Sequence, residues 1–324
     1  MAFDDTSARR FAAIDIGTVT CRMLIADVDR AGHIRDVDRE YRIVNLGEGV
    51  DATGVLKPQA IERAVCAVAD FMQVLERFRT NRFANIPVTA MATSASRDAK
   101  NADEFVCALR AVGVELSVIP GEREAALSFS GASCDFPGER LFVVDVGGGS
   151  TEVVAGVAGD QVLLARSFDI GCRRVTERFF HTDPPAPEEL ARSREWMRET
   201  MAPYFETARA AGFEADRLVA VAGTATTVVA IREALARYDT SRVHGAVVTR
   251  FDLDAVYEQL IAVPLERRKL IVGLDPGRAP VIVAGMVILQ TVLDLAGVNS
   301  FTVSESDILH GIILAEDSNR RFAD

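Results

Sequence analysis

The chain is poor in the residues from which covalent and metal frameworks are built. Five cysteines, Cys21, Cys66, Cys107, Cys134 and Cys172, are scattered through 324 residues without a C-x-x-C pair. An odd, dispersed set excludes a disulfide framework and a cysteine-bound zinc, and it fits a reducing cytoplasm. The four histidines, His33, His181, His244 and His310, show no paired spacing, so none is assigned catalytic work. Long apolar runs are also missing. The longest, Val281 to Leu289, is followed by Gln290, Thr291 and Asp294, well short of a membrane span. The first residues, MAFDDTSARR, lack the apolar core of a signal peptide. Positive charge is in deficit, with a net charge of −11, which argues against generic nucleic-acid binding. Low-complexity segments and coiled-coil heptads are absent.

What is present is a soluble globular composition, 49% hydrophobic and 26% charged. The length suits two domains that each bury a core. The residues that organise the rest are Leu141 to Glu152, LFVVDVGGGSTE. Leu141 to Val144 read as a buried strand because they run together without polar alternation. At its end stand Asp145, then Gly147, Gly148 and Gly149, the hydroxyls of Ser150 and Thr151, and Glu152. Consecutive glycines can turn backbone N–H groups into a concave anion site. A carboxylate on each side suits a divalent cation held against phosphate oxygens. Taken alone, the glycine triplet reads equally well as a tight turn between two strands.

A repeat shifts that balance. Phe11 to Leu24, FAAIDIGTVTCRML, aligns without a gap on Leu141 to Val154, matching Asp15 with Asp145, Gly17 with Gly147, Thr20 with Ser150 and Arg22 with Glu152. Val88 to Ala95, VTAMATSA, likewise resembles Val219 to Thr226, VAVAGTAT. The spacing is too long for a solenoid unit. It predicts two similar α/β halves facing each other across a cleft, with an anionic ligand between two Asp-x-Gly loops at strand ends. Asp15 and Asp145 are expected to hold Mg²⁺, directly or through water, while loop glycines and hydroxyls bind phosphate oxygens.

The order predicted for the first half is βββαβαβα, that of a ribonuclease-H-like domain. It opens with strands Phe11–Gly17, Cys21–Asp29 and Ile34–Leu46. A helix follows from Pro58, with an apolar face of Ile61, Val65, Val68, Met72, Leu75 and Phe78. The Ser/Gly/Pro-containing segment from Ser128 to Glu139 marks the junction, giving domains 1–130 and 131–324, with the last helix a candidate to pack back on the first. In the second half a long helix over Glu188–Ala211 is expected to kink at Pro203. Leu265 to Pro280 reads as a polar, punctuated region before an apolar helix. Arginines cluster at Arg166, Arg173, Arg174 and Arg178, and basic residues at Arg267, Arg268 and Lys269. Charge runs are more often solvated faces than binding sites. A polyanionic substrate would nevertheless need such a local track on an acidic protein.

DIGTVTCRML, ATSASRDAKN, PGEREAALSFSG, VVDVGGGSTE, FDIGCRRVTERF and AGTATT occur in that order. Together they resemble the motifs of the exopolyphosphatase and guanosine pentaphosphate phosphohydrolase family, within the acetate/sugar kinase, Hsp70 and actin superfold. The resemblance spans residues 11 to 313. It implies that Glu124 is the glutamate that activates water and that Asp145 and Glu152 are metal-linked acids. It further implies a phosphate loop of Gly147, Gly148, Gly149, Ser150 and Thr151. Thr18, Arg22, Arg97, Gly223 and Thr224 fall among its other phosphate contacts. The implied enzyme is a cytoplasmic, Mg²⁺-dependent exopolyphosphatase, with Mn²⁺ as a substitute and a homodimer as the assembly. No nucleic-acid or membrane partner is expected.

Three rivals stay open at this stage. One is hydrolysis of guanosine pentaphosphate. Another is an ATP-dependent kinase with an adenosine pocket at Gly223 to Thr227, against which a GEREA-type glutamate speaks. The last is a weakly active sensor of polyphosphate or alarmone. Two motifs depart from the common family pattern, GTVTCR in the first loop and SESDILHG at 304–311. The sequence also reads as a short form without the extra C-terminal helical domain.

Overall fold

The computed structural model describes residues 3–321. It divides into two compact units, one running to Gly131 and resuming at Ile308, the other Ala132–Asp307.

The first unit opens with an antiparallel meander, β1 Arg9–Ile16, β2 Thr20–Val28 and β3 Ile34–Ile43. There follow α1 Val50–Thr53, α2 Pro58–Glu76, β4 Val88–Ala92, α3 Ser94–Asp98, α4 Ala102–Ala111, β5 Leu116–Val118 and α5 Gly121–Ser133. The sheet order is β3-β2-β1-β4-β5, with β4 parallel to both β1 and β5. That is the ribonuclease-H-like arrangement. The central strands are apolar on both faces because both are covered. Ala12, Ile14 and Ile16, with Cys21, Met23 and Ile25, join the core that includes α2 and α4. Phe11 and Ala13, with Leu24, Ala26 and Val28, line the opposite face. The strand period of two sorts these residues between the layers.

Helix α2 differs in detail from the expected face. Its fully buried positions are Ala60, Ala64, Ala67, Val68, Phe71 and Leu75. Ile61, Val65, Met72 and Phe78 are only partly buried against that core. The helix is thus turned so that three small alanines take buried positions and the larger Ile61, Val65 and Met72 stand toward its margin. Phe71 is fully buried in this core, and truncating it to Ala would cost about 3–5 kcal/mol.

The second unit contains β6 Arg140–Val146, β7 Thr151–Val157, β8 Val162–Phe168, α6 Cys172–Phe179, α7 Pro187–Ala210, β9 Arg217–Val221 and α8 Ala222–Arg232. It continues with α9 Thr240–Val243, β10 Val247–Thr249, α10 Arg250–Ile261, α11 Leu265–Arg268, α12 Ile282–Ala296 and β11 Ser300–Val303. Its sheet order is β10-β11-β9-β6-β7-β8, with β6, β9 and β11 mutually parallel where they pair. Every residue of α12 from Ile282 to Leu293 is buried. Its sequence is apolar all round because it lies inside the unit, not because it meets lipid. Among the described residues no helix is long and apolar enough to cross a membrane. Helix α7 runs on through Pro203 without a break. Its start is fixed by Glu189, which accepts from the hydroxyl of Thr182 (2.7 Å) and from the N–H groups of His181 and Ala186 (both 2.9 Å).

The final helix, α13 Ile308–Arg321, belongs to the first unit. The second unit therefore ends at Asp307, and the expected span of 131–324 is shortened by this helix. The reason is apolar: Ile308, Leu309, Ile312 and Ile313 cover Phe11, Ala13, Leu24 and Ile119. At Gly311 a Cβ would stand 2.0 Å from the carbonyl oxygen of Leu127, so only glycine lets α13 lie this close to α5.

Candidate active site

In the first unit the expected site residues lie at the carboxyl ends of the three parallel strands, where α/β sheets bind ligands. The loop after β1 is closed by the Gly17 N–H donating to the Thr20 carbonyl at 2.8 Å. Asp15 and Arg22 are directly opposite in the β1–β2 register. Arg22 donates to Asp15 Oδ2 through Nη2 at 2.7 Å and Nε at 3.2 Å. Asp15 is buried, and a buried carboxylate needs such a partner. Thr18 is buried in the same loop, packed near Gly47.

The loop after β4 leads into α3, which carries Arg97. Glu124 stands in the first turn of α5, fixed by its N–H donating to the Pro120 carbonyl at 3.0 Å. Arg97 Nη1 donates to Glu124 Oε2 at 2.6 Å and to the Ile119 carbonyl at 3.0 Å. These two residues, 27 apart in sequence, are thus brought together at the ends of β4 and β5. Burial leaves Glu124 7% exposed.

The second unit repeats the device with one change of charge. The Gly147 N–H donates to the Ser150 carbonyl at 3.0 Å, as Gly17 does to Thr20. Asp145 is directly opposite Glu152 in the β6–β7 register, where the first unit has Asp15 and Arg22. The pair of opposite charge has become a pair of carboxylates, both buried. The Ser167 hydroxyl donates to Glu152 Oε1 at 2.6 Å.

Helix α6 occupies the carbonyls of the glycine loop. Cys172 N–H donates to Gly147 O (2.9 Å), Arg173 N–H to Gly148 O (2.8 Å) and Arg174 Nε to Gly149 O (2.9 Å). With the carbonyls turned toward α6, the peptide N–H groups of Gly148 and Gly149 are given to no backbone acceptor among the described residues. That is the polarity an anion requires. A Cβ at Gly171 would lie 2.4 Å from backbone atoms of Gly148 and Gly149, so the loop and helix meet through bare backbone. Thr151 donates to Ile170 O at 2.5 Å and Thr224 to Val146 O at 3.1 Å, tying the loops after β6 and β9 to their surroundings. Their hydroxyls serve the fold here, in addition to the phosphate role expected of them.

The loop after β9 holds a residue that the motif reading missed. Arg278 lies across Gly223, where a Cβ would come within 1.6 Å of Nη1. Ala222, just before, adopts a left-handed backbone with φ of 64°, which costs a residue with a Cβ energy that its surroundings must offset. Arg278 comes from the polar region before α12, and no periodicity or repeat marks it. Cys172 is buried nearby, and burial pushes its thiol up, opposed by the charges of Arg278 and Arg173. A protonated thiol is no nucleophile.

The arginine clusters separate in three dimensions. Arg173 pairs with Glu177 at 3.2 Å, while Arg178 stacks over Trp196 at 4.6 Å from the ring centre. Arg166 is exposed on β8. Arg268 is buried, donating to the carbonyls of Leu260 (2.9 Å) and Val263 (3.0 Å) and to Asp183 (3.2 Å). It is a structural clamp, while Arg267 is exposed.

For a metal, the donor set matters. Among the described residues no group of three or more His, Cys, Asp or Glu side chains is placed to hold an ion. Asp15 is engaged by Arg22. Asp145 and Glu152 offer two hard carboxylates, which suits Mg²⁺ because that ion commonly takes one or two carboxylates and fills its remaining sites with water and substrate phosphate.

Comparison with known proteins gives a consistent picture. The family model described as the Ppx/GppA phosphatase family matches residues 24–319. Exopolyphosphatase 2 of Mycobacterium tuberculosis is 40% identical over 322 residues, covering 94% of this chain and 98% of the relative. The crystal structure of the Aquifex aeolicus Ppx/GppA family member superposes with a TM-score of 0.78 at 31% identity, covering 97% of this chain and 99% of that one. An exopolyphosphatase from Cytophaga hutchinsonii gives 0.86 at 26% identity, covering 96% and 98%.

Proposed function

Since the chain belongs to the Ppx/GppA phosphatase family, we propose that it hydrolyses the terminal phosphoanhydride bond of inorganic polyphosphate and releases orthophosphate. The observation that carries this reading is the Arg97–Glu124 pair at the strand ends of the first unit. Hydrolysis needs a positioned base for water and positive charge at the transferring phosphoryl. Glu124 accepts the proton from water as the water oxygen bonds to the terminal phosphorus. The bridging P–O bond breaks, and its electron pair leaves with the shortened chain. Arg97 orients Glu124 and supplies positive charge beside it. Because the same guanidinium holds the Ile119 carbonyl, the base is fixed against the end of β5 and need not be recruited.

Within the second unit taken by itself, the peptide N–H groups of the glycine loop and the guanidinium of Arg278 are donors suited to the oxygens of a phosphate chain. Mg²⁺ fits Asp145 and Glu152, with Mn²⁺ an acceptable substitute for oxygen ligands. When bound, the ion would neutralise charge on the phosphate oxygens. Asp15 is left outside this set, its charge being matched by Arg22.

The test is orthophosphate release from long polyphosphate, tripolyphosphate, guanosine pentaphosphate and ATP, run in parallel with Mg²⁺. Fastest release from long polyphosphate is expected. A clear preference for guanosine pentaphosphate would move the enzyme to nucleotide hydrolysis, and release from none would refute both.

A further inference from the structure

Three hydroxyls of the first unit remain after its ion pairs are accounted for. Thr18 Oγ1, Ser94 Oγ and Ser96 Oγ are shielded from solvent and make no hydrogen bond. The residues are 6%, 2% and 1% exposed. Buried hydroxyls left without partners cost stability and are uncommon, so three in one place call for a reason.

They are in one place. Thr18 belongs to the loop after β1, and Ser94 and Ser96 to the segment after β4, its parallel neighbour. The segments touch, since the Thr93 N–H donates to the Ile16 carbonyl at 3.3 Å. A Cβ on Gly47 would lie 2.3 Å from Thr18 Cγ2 and 3.0 Å from the Ala95 Cβ, so both segments close over the same glycine. Ser96 directly precedes Arg97, which holds Glu124.

The second unit provides an internal control. The two sheets share a register, Asp15 opposite Met91 and Asp145 opposite Val221, which matches Ser94 with Thr224 and Ser96 with Thr226. Thr224 donates to the Val146 carbonyl at 3.1 Å. Thr226 donates to the Gly223 carbonyl at 3.4 Å. The fold therefore supplies a carbonyl acceptor for the hydroxyl at each position. The first unit uses neither.

We propose that Ser94 and Ser96, with Thr18, form an uncharged donor cradle for the non-bridging oxygens of the terminal phosphoryl group. The proposal rests on the polyphosphate reading for its substrate, though not for its anion chemistry. A cation is the poorer fit, because the nearby carboxylate of Asp15 is committed to Arg22 and hydroxyls alone hold divalent ions weakly. Neutral donors also suit a product that must leave, since they orient phosphate without adding another full charge to grip it.

The experiment uses Ser94→Ala, Ser96→Ala and the double variant of the full chain. Three quantities are read: the thermal midpoint without ligand, its rise on adding orthophosphate, and kcat/KM for tripolyphosphate and long polyphosphate. The ligand-free midpoint is expected to hold or rise, because unsatisfied hydroxyls are removed. The orthophosphate-dependent rise should be lost in the double variant. Each substitution should lower kcat/KM about tenfold, equally for both substrates, since each presents a terminal phosphoryl. A lowered ligand-free midpoint would show that the hydroxyls serve the fold and would overturn the proposal. So would an orthophosphate response absent from the wild type or intact in the double variant. If the wild type responds to orthophosphate and the double variant does not, yet no polyphosphate is hydrolysed, the cradle stands and the assigned reaction falls. Wild-type hydrolysis with unchanged kinetics in the double variant would sink the cradle alone.

Discussion

Nη1 of Arg97 lies 2.6 Å from Oε2 of Glu124, and the same nitrogen reaches the Ile119 carbonyl at 3.0 Å. The arginine therefore joins three things: the end of β5, the first turn of α5 and the segment after β4. Glu124→Gln keeps an oxygen for that contact but loses the basic carboxylate. Its turnover should fall about 10²–10⁴-fold, the usual scale for a general base, with the thermal midpoint little changed. Near wild-type turnover would remove Glu124 from the chemistry.

The metal assignment has a separate consequence. Chelation should abolish phosphate release, and Asp145→Asn should raise the Mg²⁺ concentration needed for half-maximal rate. Asp15→Asn should leave that concentration unchanged, because its carboxylate faces Arg22. Mg²⁺ titrations of the three proteins check this. Full activity in excess chelator would leave arginines as the only charge neutralisers.

The arginines near the glycine loop should divide by substrate length. Arg174 holds the Gly149 carbonyl, so Arg174→Ala should lower kcat/KM to a similar degree for tripolyphosphate and for long chains. Arg166 is exposed on β8, and Arg166→Ala should affect long chains alone, with a loss that shrinks as salt is added. Steady-state kinetics at two ionic strengths decide the matter. An effect of Arg166→Ala on tripolyphosphate would place that residue nearer the reacting end.

A pH dependence of stability follows from Glu189. The hydrogen bond from Thr182, aided by backbone donors and opposed by burial, holds its carboxyl at about 2, below the ordinary 4.5. A depressed folded-state value contributes stability above the unfolded value and loses it as pH falls. The contribution should be complete above about pH 4.5 and vanish progressively toward pH 2. Glu189→Gln should melt lower than wild type at neutral pH, and the gap should narrow through that window. A constant gap in thermal midpoints from pH 7 to pH 3 would contradict the assignment.

The Asp-x-Gly repeat was legible because its chemistry is local. Gly17 with Thr20, and Gly147 with Ser150, close their loops over three residues, and hairpin register then fixes which residue faces each Asp. What a string of letters does not display is the meaning of Arg22 against Glu152. Their equivalence was visible, but the ion pair on one side and the carboxylate pair on the other appear only once strands pair. Arg97 and Glu124 meet through tertiary structure, and their roles came from family resemblance alone. Arg278 and Arg268 were opaque for a related reason. Both lie in a stretch without period, and whether a guanidinium there reaches Gly223, carbonyls or water depends on distant segments. The three residues of β10 carry too little pattern to read, and α10 mixes polar and apolar positions without a clear apolar face.

The chain leaves the first unit at Gly131 and re-enters it only at Ile308. On a ribosome, the face made by Phe11, Ala13, Leu24, Ala26 and Val28 therefore emerges long before α13, its cover. At roughly 5–20 residues per second, translation of the intervening unit takes about 9–35 s. The later-made unit can thus complete its core first, while the earlier one waits with an oily sheet face uncovered. That interval is a natural window for chaperone holding, and a chain released before Ile308 would keep the sheet face exposed.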